Sequence, residues 1–234
     1  MPGDSLRTPR GILFDLDGTL ADTAPDLAGA VNLLRSERGL PLTPYAQLRP
    51  VASAGARGLI GAAFGIGPTD PQYPALRDAF LVNYAAAIAD ATTLFDGVRE
   101  LLATLSARGI AWGIVTNKAT ILTELLVPKI GLSHAGCTVC GDTTAHLKPH
   151  PAPLLEAARR INVSPEECWY VGDDARDIEA GRAAGMATVA AGWGYCGHAG
   201  PGSWGADVIA ATPIAVLELL AESDSKNDMD DRAP

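Results

Sequence analysis

The sequence predicts an α/β fold in which a parallel sheet is covered on both faces by helices and is interrupted once by an all-helical insertion. Three observations carry this. Short apolar runs of strand length recur along the chain, helical patterns separate them, and one stretch, residues 22–91, holds helices with no strand between them. Strictly alternating strands and helices argue for a parallel sheet buried on both sides. A chain of 234 residues that is 47% hydrophobic and 19% charged can bury such a core.

The elements follow in order. Residues 11–15 (Gly-Ile-Leu-Phe-Asp) read as a buried strand. In the insertion, Leu27, Ala30, Val31 and Leu34 recur at helical spacing, and Gly39 stops that helix. Further helices are expected at 44–51, 56–63 and 72–89, the last capped by Asp70 ahead of Pro71. The second half alternates. Strands are expected at 110–115, 168–172, 187–191 and 206–209, with a weaker one near 137–140. Helices are expected at 97–108, 119–129, 151–161, 175–184 and 213–221, with Val98, Leu101, Leu102 and Leu105 on one face of the first. Ser164-Pro165-Glu166-Glu167 has the form of a capping box with proline at the first helical position. The expected organisation is a core domain of residues 1–21 and 92–222, a helical domain of 22–91, and a polar, disordered tail from 223 to 234.

Composition excludes some partners. With 27 acidic and 18 basic residues the net charge is −9, and only Lys118, Lys129, Lys148 and Lys226 are lysines. No basic footprint for nucleic acid or anionic lipid is present. No stretch reaches the roughly 20 apolar residues of a membrane span, and residues 1–10 hold no run of signal-peptide length. Four cysteines suit a reduced protein, so the expected compartment is the cytoplasm. The sequence is compatible with a monomer or a homodimer.

Four clusters could carry chemistry, and each comes after an expected strand in the coarse reading. Asp15-Leu16-Asp17-Gly18-Thr19 leaves the first strand, where two carboxylates can face one site and Gly18 permits close backbone approach. Thr116-Asn117 offers a hydroxyl and an amide to an oxyanion. Lys148 lies between His146-Leu147 and Pro149-His150-Pro151, where the prolines stiffen the loop and fix where the lysine points. Gly172-Asp173-Asp174-Ala175-Arg176-Asp177 puts three carboxylates within five residues. Such a group is stable in water, around a cation or beside a lysine. Taken singly these would be an Asp-rich turn, a helix cap, a surface lysine and an acidic helix start. Together they converge on one edge of the sheet.

In order and spacing the four clusters resemble the haloacid dehalogenase superfamily of phosphohydrolases over residues 11–192. The resemblance implies a Rossmann-like three-layer sandwich, with 22–91 as the C1 cap of the phosphoglycolate phosphatase-like branch. It implies Asp15 as the nucleophile that becomes an aspartyl phosphate, and Asp17 as the acid and base toward leaving group and water. Mg²⁺ would be held by Asp15, the Asp17 backbone carbonyl and Asp173, with Asp174 and Asp177 orienting waters or Lys148. Gly18, Thr116, Asn117 and Lys148 would bind the phosphoryl oxygens of a small phosphate ester. Of the four lysines, Lys148 is the one expected to matter.

Related chemistries fit less well. A dehalogenase lacks the second aspartate, which is present here as Asp17. Residues 22–91 contain no lysine and no histidine, which excludes the cap lysine of a phosphonoacetaldehyde hydrolase and the cap His and Lys of a sugar phosphomutase. A metal-dependent glycosyltransferase does not explain Lys148 with Gly172-Asp173-Asp174, and a non-catalytic scaffold would be expected to have lost Asp15 or Asp17. The G-x-G-x-x-G run Gly192 to Gly197 is followed by His198-Ala199-Gly200-Pro201, which cannot open a helix, so dinucleotide binding is rejected. Cys137-x-x-Cys140 near His134 lacks the second pair of a zinc site.

The cap carries Arg35, Arg38, Arg49, Arg57 and Arg77. Arg57, in a Gly-rich turn before a helix, is the expected clamp for a substrate carboxylate. The overall pattern resembles phosphoglycolate phosphatases. Ser53-x-Gly55-Ala56-Arg57, Leu76-Arg77-x-x-Phe80-Leu81-x-x-Tyr84, Gly194-Tyr195 and Trp204-Gly205-Ala206-Asp207 resemble N-acetylmuramic acid 6-phosphate phosphatases more closely. Both substrates carry a carboxylate.

Overall fold

The computed structural model describes residues 6–230, with side chains to residue 225. Its main sheet has six parallel strands: β1 (Gly11–Phe14), β4 (Ala111–Val115), β5 (Thr138–Val139), β6 (Cys168–Gly172), β7 (Ala187–Ala191) and β8 (Val208–Ala210). They lie in the order β5-β4-β1-β6-β7-β8, all neighbours parallel. The side-chain period of two splits β1 between two cores. Ile12 and Phe14 pack on the face covered by α5 (Val98–Ala107), α6 (Thr120–Lys129) and α9 (Pro213–Asp230). Leu13 packs on the other, under α7 (Ala152–Ile161) and α8 (Ala175–Ala183). The three-layer expectation holds. The strand order reverses on either side of β1, and the crevice beyond the carboxyl ends of β4, β1 and β6 is where such a sheet binds ligands.

The insertion is helical, as expected: α1 (Ala24–Glu37), α2 (Tyr45–Leu48), α3 (Gly55–Phe64) and α4 (Tyr73–Ala86), with a 3₁₀ turn at Arg49–Ala54. Two short strands at its stems, β2 (Ala21–Asp22) and β3 (Thr93–Leu94), pair antiparallel and tie the two connections together. Two-residue strands leave no periodic signal, so the sequence did not reveal them.

Several local expectations change. The tail from Ser223, expected to be disordered, continues α9 as far as Asp230. Ser223 is buried, Thr8 donates to Asp224, and Arg108 pairs with the same carboxylate. Residues 231–234 lie outside the described residues. Ser164 caps nothing with its side chain, and residues 165–167 make a single 3₁₀ turn. Asp70 accepts from the Gln72 N–H, and the helix begins only at Tyr73. The last strand starts at Val208 rather than 206, because the Asp207 carboxylate turns to accept from the Thr188 N–H and hydroxyl. Among the described residues no helix is long and apolar enough to cross a membrane.

Candidate active site

All four sequence clusters meet at the predicted sheet edge. Asp15 follows β1 and is buried, its N–H donating to the Val171 carbonyl on β6. Its Oδ1 accepts from the Leu16 N–H at 2.8 Å and lies 2.9 Å from the Lys148 ammonium. Asp17 is part-exposed, and its Oδ1 accepts from the Thr23 hydroxyl at 2.6 Å. Gly18 turns directly after Asp17 at φ +88°, and a Cβ there would lie 2.2 Å from Asp173 Oδ2. Both the backbone conformation and the clearance require glycine.

Lys148 is 4% exposed. Its ammonium donates to the Val115 carbonyl at 2.9 Å and the Tyr170 hydroxyl at 2.8 Å, and it lies 2.8 Å from Asp177. Burial pulls the ammonium's pKa down, and Asp15 and Asp177 overcome that pull to hold it above the ordinary lysine value. The prolines expected to aim this lysine have help from Asn117. The Asn117 amide donates to the Lys148 carbonyl and accepts from its N–H, both at 2.9 Å. Asn117 was expected to bind phosphoryl oxygens. Its side chain is instead engaged on both sides by the Lys148 peptide. Thr116 is buried at the end of β4, its hydroxyl accepting from the Lys118 N–H.

Asp174 and Asp177 form a reciprocal capping box on α8: the Asp174 side chain accepts from the Arg176 N–H and Asp177 from the Asp174 N–H. Asp174 also takes both Nε and Nη2 of Arg176, so it does not reach Lys148. Asp177 lies 2.8 Å from the Lys148 ammonium. Asp173 is fully buried. It accepts from the Thr19 hydroxyl at 3.1 Å, the Ser53 hydroxyl at 3.0 Å and the Tyr195 N–H at 2.9 Å.

Carboxylate oxygens of Asp15, Asp173 and Asp177 come within 4.8 Å of one another. Burial, against Lys148 and with Asp177, lifts the Asp15 carboxyl to about 7, and burial with Asp15 and Asp177 lifts Asp173 well above its ordinary value. One lysine faces three buried carboxylates. An all-oxygen donor set with excess negative charge is what a hard divalent cation relieves. The side chain of Asp17 stands outside this triad.

The site opens into a cavity of about 460 Å³ between core and cap. Its cap wall includes Leu27, Ala52, Phe80, Leu81 and Tyr84. Arg57, the expected carboxylate clamp, is exposed and does not line the cavity. The buried stripe of α3 is Leu59, Ile60 and Ala63, and Arg57 falls off it. Arg77 and Arg176 do line the cavity, Arg77 paired with Asp78 at the exposed rim and Arg176 donating to the Ser53 carbonyl.

Two features escaped the sequence reading. Lys118, set aside in favour of Lys148, is buried in the site with its ammonium 2.8 and 3.0 Å from the two oxygens of Asp17. Its position directly after Thr116-Asn117 was the available signal. The rejected Gly192–Gly197 run is a clasp. Trp193 Nε1 donates to the Thr19 carbonyl, and the Tyr195 hydroxyl accepts from the Thr23 and Ala24 N–H groups that open α1. Cys137 and Cys140 are free, and His134 packs edge-on against Trp112.

A parallel α/β core with a buried lysine and an acidic triad at its strand ends, under a helical cap, has the architecture of a capped hydrolase of the phosphate-ester class. The sequence matches the model of the haloacid dehalogenase-like hydrolases over residues 9–185, and the chain belongs to that family. It is a phosphatase, a phosphoric monoester hydrolase. It is 50% identical over 219 residues to a phosphoglycolate phosphatase of Xanthomonas campestris pv. campestris, covering 92% of this chain and 98% of that protein. It is 39% identical over 213 residues to the N-acetylmuramic acid 6-phosphate phosphatase of Pseudomonas aeruginosa, covering 90% and 94%. Among solved structures, that of a predicted phosphoglycolate phosphatase from Haemophilus somnus superposes with a TM-score of 0.81 at 26% identity, covering 92% of this chain and 99% of that one.

Proposed function

We propose that the chain is a Mg²⁺-dependent, phosphoglycolate phosphatase-like enzyme that hydrolyses a small phosphorylated carboxylic acid through an aspartyl phosphate on Asp15. The observation that carries this reading is Lys148 held between Asp15 and Asp177 beside the acidic triad. An Asp15 oxygen attacks phosphorus, and the phosphorus–ester oxygen bond breaks. Asp17 gives the leaving oxygen its proton and then accepts one from the water that cleaves the acyl phosphate. Lys148 and the Thr116 hydroxyl offset charge on the phosphoryl oxygens, and Asn117 acts by holding the Lys148 peptide. Asp15, the Asp17 carbonyl and Asp173 would hold Mg²⁺, which supplies the positive charge that lets a carboxylate approach an anionic phosphate. The four free cysteines suit the cytoplasm as its compartment.

A specific observation favours a second substrate. A cavity of about 460 Å³ with apolar walls is in the size range of sites for drug-sized ligands, well beyond a two-carbon acid. N-acetylmuramic acid 6-phosphate, with its acetamido methyl and lactyl groups, would fill it better than 2-phosphoglycolate. Phosphate release from the two esters side by side, with and without excess EDTA, tests both points. Turnover of one of them that EDTA abolishes is the expected result. Full activity in EDTA would remove the metal-dependent mechanism.

A further inference from the structure

Among the described residues, three buried side-chain polar atoms have no hydrogen-bond partner: Asp22 Oδ1, Asn83 Nδ2 and the Tyr84 hydroxyl. Of these residues only Tyr84 lines the cavity. It is 1% exposed, it comes from α4 of the cap, and its ring packs against Phe80 in the same cap wall. An unpartnered buried hydroxyl costs on the order of 1–3 kcal/mol, so a group that completes it binds with that advantage. The nearest cation comes from the other domain. The Lys118 ammonium lies 4.7 Å from the centroid of the Tyr84 ring, and Lys118 also lines the cavity.

The donors around the cavity can be counted. Lys148 is engaged by Asp15, Asp177, Val115 and Tyr170. Arg176 is engaged by Asp174 and the Ser53 carbonyl. Arg77 is half exposed and pairs with Asp78. Lys118 gives two N–H groups to Asp17, and its third lies beside the Tyr84 hydroxyl, the two making no hydrogen bond of normal geometry. The free hydroxyl of Tyr84 and that N–H are two hydrogen-bond donors, one of them cationic, on the boundary between cap and core. A group with two acceptor oxygens and a negative charge matches them.

We infer that Tyr84 and Lys118 form the subsite that receives the substrate's carboxylate, taking over the part first expected of Arg57. The inference rests on the reading of the chain as a phosphatase of carboxylated esters. Because one donor belongs to the cap and the other to the core, the carboxylate bridges the two domains directly above Asp17. Only a substrate that carries it completes the site, and a site built to hydrogen-bond a group rejects the analogue that lacks it.

The test uses the full chain with Mg²⁺ and four substrates. N-acetylmuramic acid 6-phosphate and 2-phosphoglycolate carry the carboxylate. N-acetylglucosamine 6-phosphate, which lacks only the lactyl group of the first, and p-nitrophenyl phosphate do not. Tyr84→Phe removes one hydroxyl and keeps the packed ring. It is expected to lower kcat/KM on the better carboxylated ester by about 10-fold, chiefly through KM, and to lower it several-fold less on the other two. Lys118→Met is expected to show the same bias with a larger loss on every substrate, because it also unpairs Asp17. Equal losses on carboxylated and uncarboxylated esters in both variants would show a structural role only and overturn the subsite. A wild-type enzyme that turns over N-acetylglucosamine 6-phosphate or p-nitrophenyl phosphate as well as the carboxylated esters would overturn it too, while leaving the phosphatase reading intact. Release of phosphate from none of the four would remove that reading and the subsite with it.

Discussion

On the core wall of the cleft the ionisable groups are closely engaged. Asp173 accepts from three donors, Lys148 reaches two carboxylates, a carbonyl and a phenol, and Asp177 is fixed by the capping box of its own helix. The cap wall is largely apolar and holds a buried hydroxyl with nothing to bond. The difference separates two tasks. Charge development at phosphorus needs groups that do not reorganise during the reaction, and dense hydrogen bonding supplies that rigidity. Selection of the leaving group needs surface that becomes complete only when the right substrate arrives. The strongest tests pull the two walls apart.

The largest effect is expected on the core wall. Asp15→Asn removes the proposed nucleophile and keeps the shape, so steady phosphate release from p-nitrophenyl phosphate should fall by at least about 10⁴-fold. Retention of more than a small percentage of the rate would mean that the attacking oxygen is not on Asp15.

The next effect is on stability. In the unfolded chain Asp15 ionises near the ordinary value of 3.8, and in the folded, metal-free protein burial raises it to about 7. The folded form therefore holds the proton more tightly. The stability this confers is present in full below about pH 4 and is lost as pH rises through about 7. Melting temperatures in EDTA should decline over that window by the equivalent of a few kcal/mol, on the order of one decade of binding per pH unit. Asp15→Asn should flatten the decline, and added Mg²⁺ should stabilise most above pH 7, where the carboxylate is ionised. A metal-free melting curve with the same pH slope in wild type and Asp15→Asn would refute the assignment.

Much of the core wall was legible from sequence because each of its residues acts close to its own strand end. Asp15, Thr116 and Asp173 are placed by the ends of β1, β4 and β6, so spacing alone brought them to one edge. The cap wall was not legible. Which residues of α4 meet Lys118 depends on how a separate helical domain sits over the sheet, and helical periodicity identifies a buried face without saying what lies opposite. Gly194 was hidden for a similar reason. It fell in a G-x-G-x-x-G run that its sequence context already excluded as a nucleotide motif, and its actual constraint is the approach of two loops far apart in sequence.

Glycines compare the walls at a smaller scale. A Cβ on Gly194 would lie 2.2 Å from the Asp173 Cβ and 2.5 Å from the Gly18 carbonyl. Gly194→Ala should cost about 1–3 kcal/mol and raise the Mg²⁺ concentration needed for half-maximal rate by displacing Asp173. Gly61 lies within α3 of the cap, with nothing within 4 Å of its Cβ position. Gly61→Ala should stabilise by about 0.4–1 kcal/mol through the unfolded chain and helix propensity. Thermal melts of the two variants should move in opposite directions. Movement in the same direction would mean that the loop at 194 can yield and the core wall is softer than its hydrogen bonds suggest.

The smallest effect is expected at Arg57. From sequence this arginine had every local qualification for an anion clamp, with glycines on both sides and a helix starting beside it. Its side chain is exposed, lies outside the cavity, and stands off the buried stripe of α3. Arg57→Ala should therefore change kcat/KM by no more than about 2-fold, and by the same factor on carboxylated and uncarboxylated esters, as exposed substitutions away from a site do. Set beside Tyr84→Phe, it is the sharper half of the cap comparison, since both variants alter one cap side chain and only one of the two reaches the cleft. If Arg57→Ala proved the carboxylate-selective variant and Tyr84→Phe the neutral one, the cap would have to close further over the core on binding and carry α3, rather than α4, to the substrate.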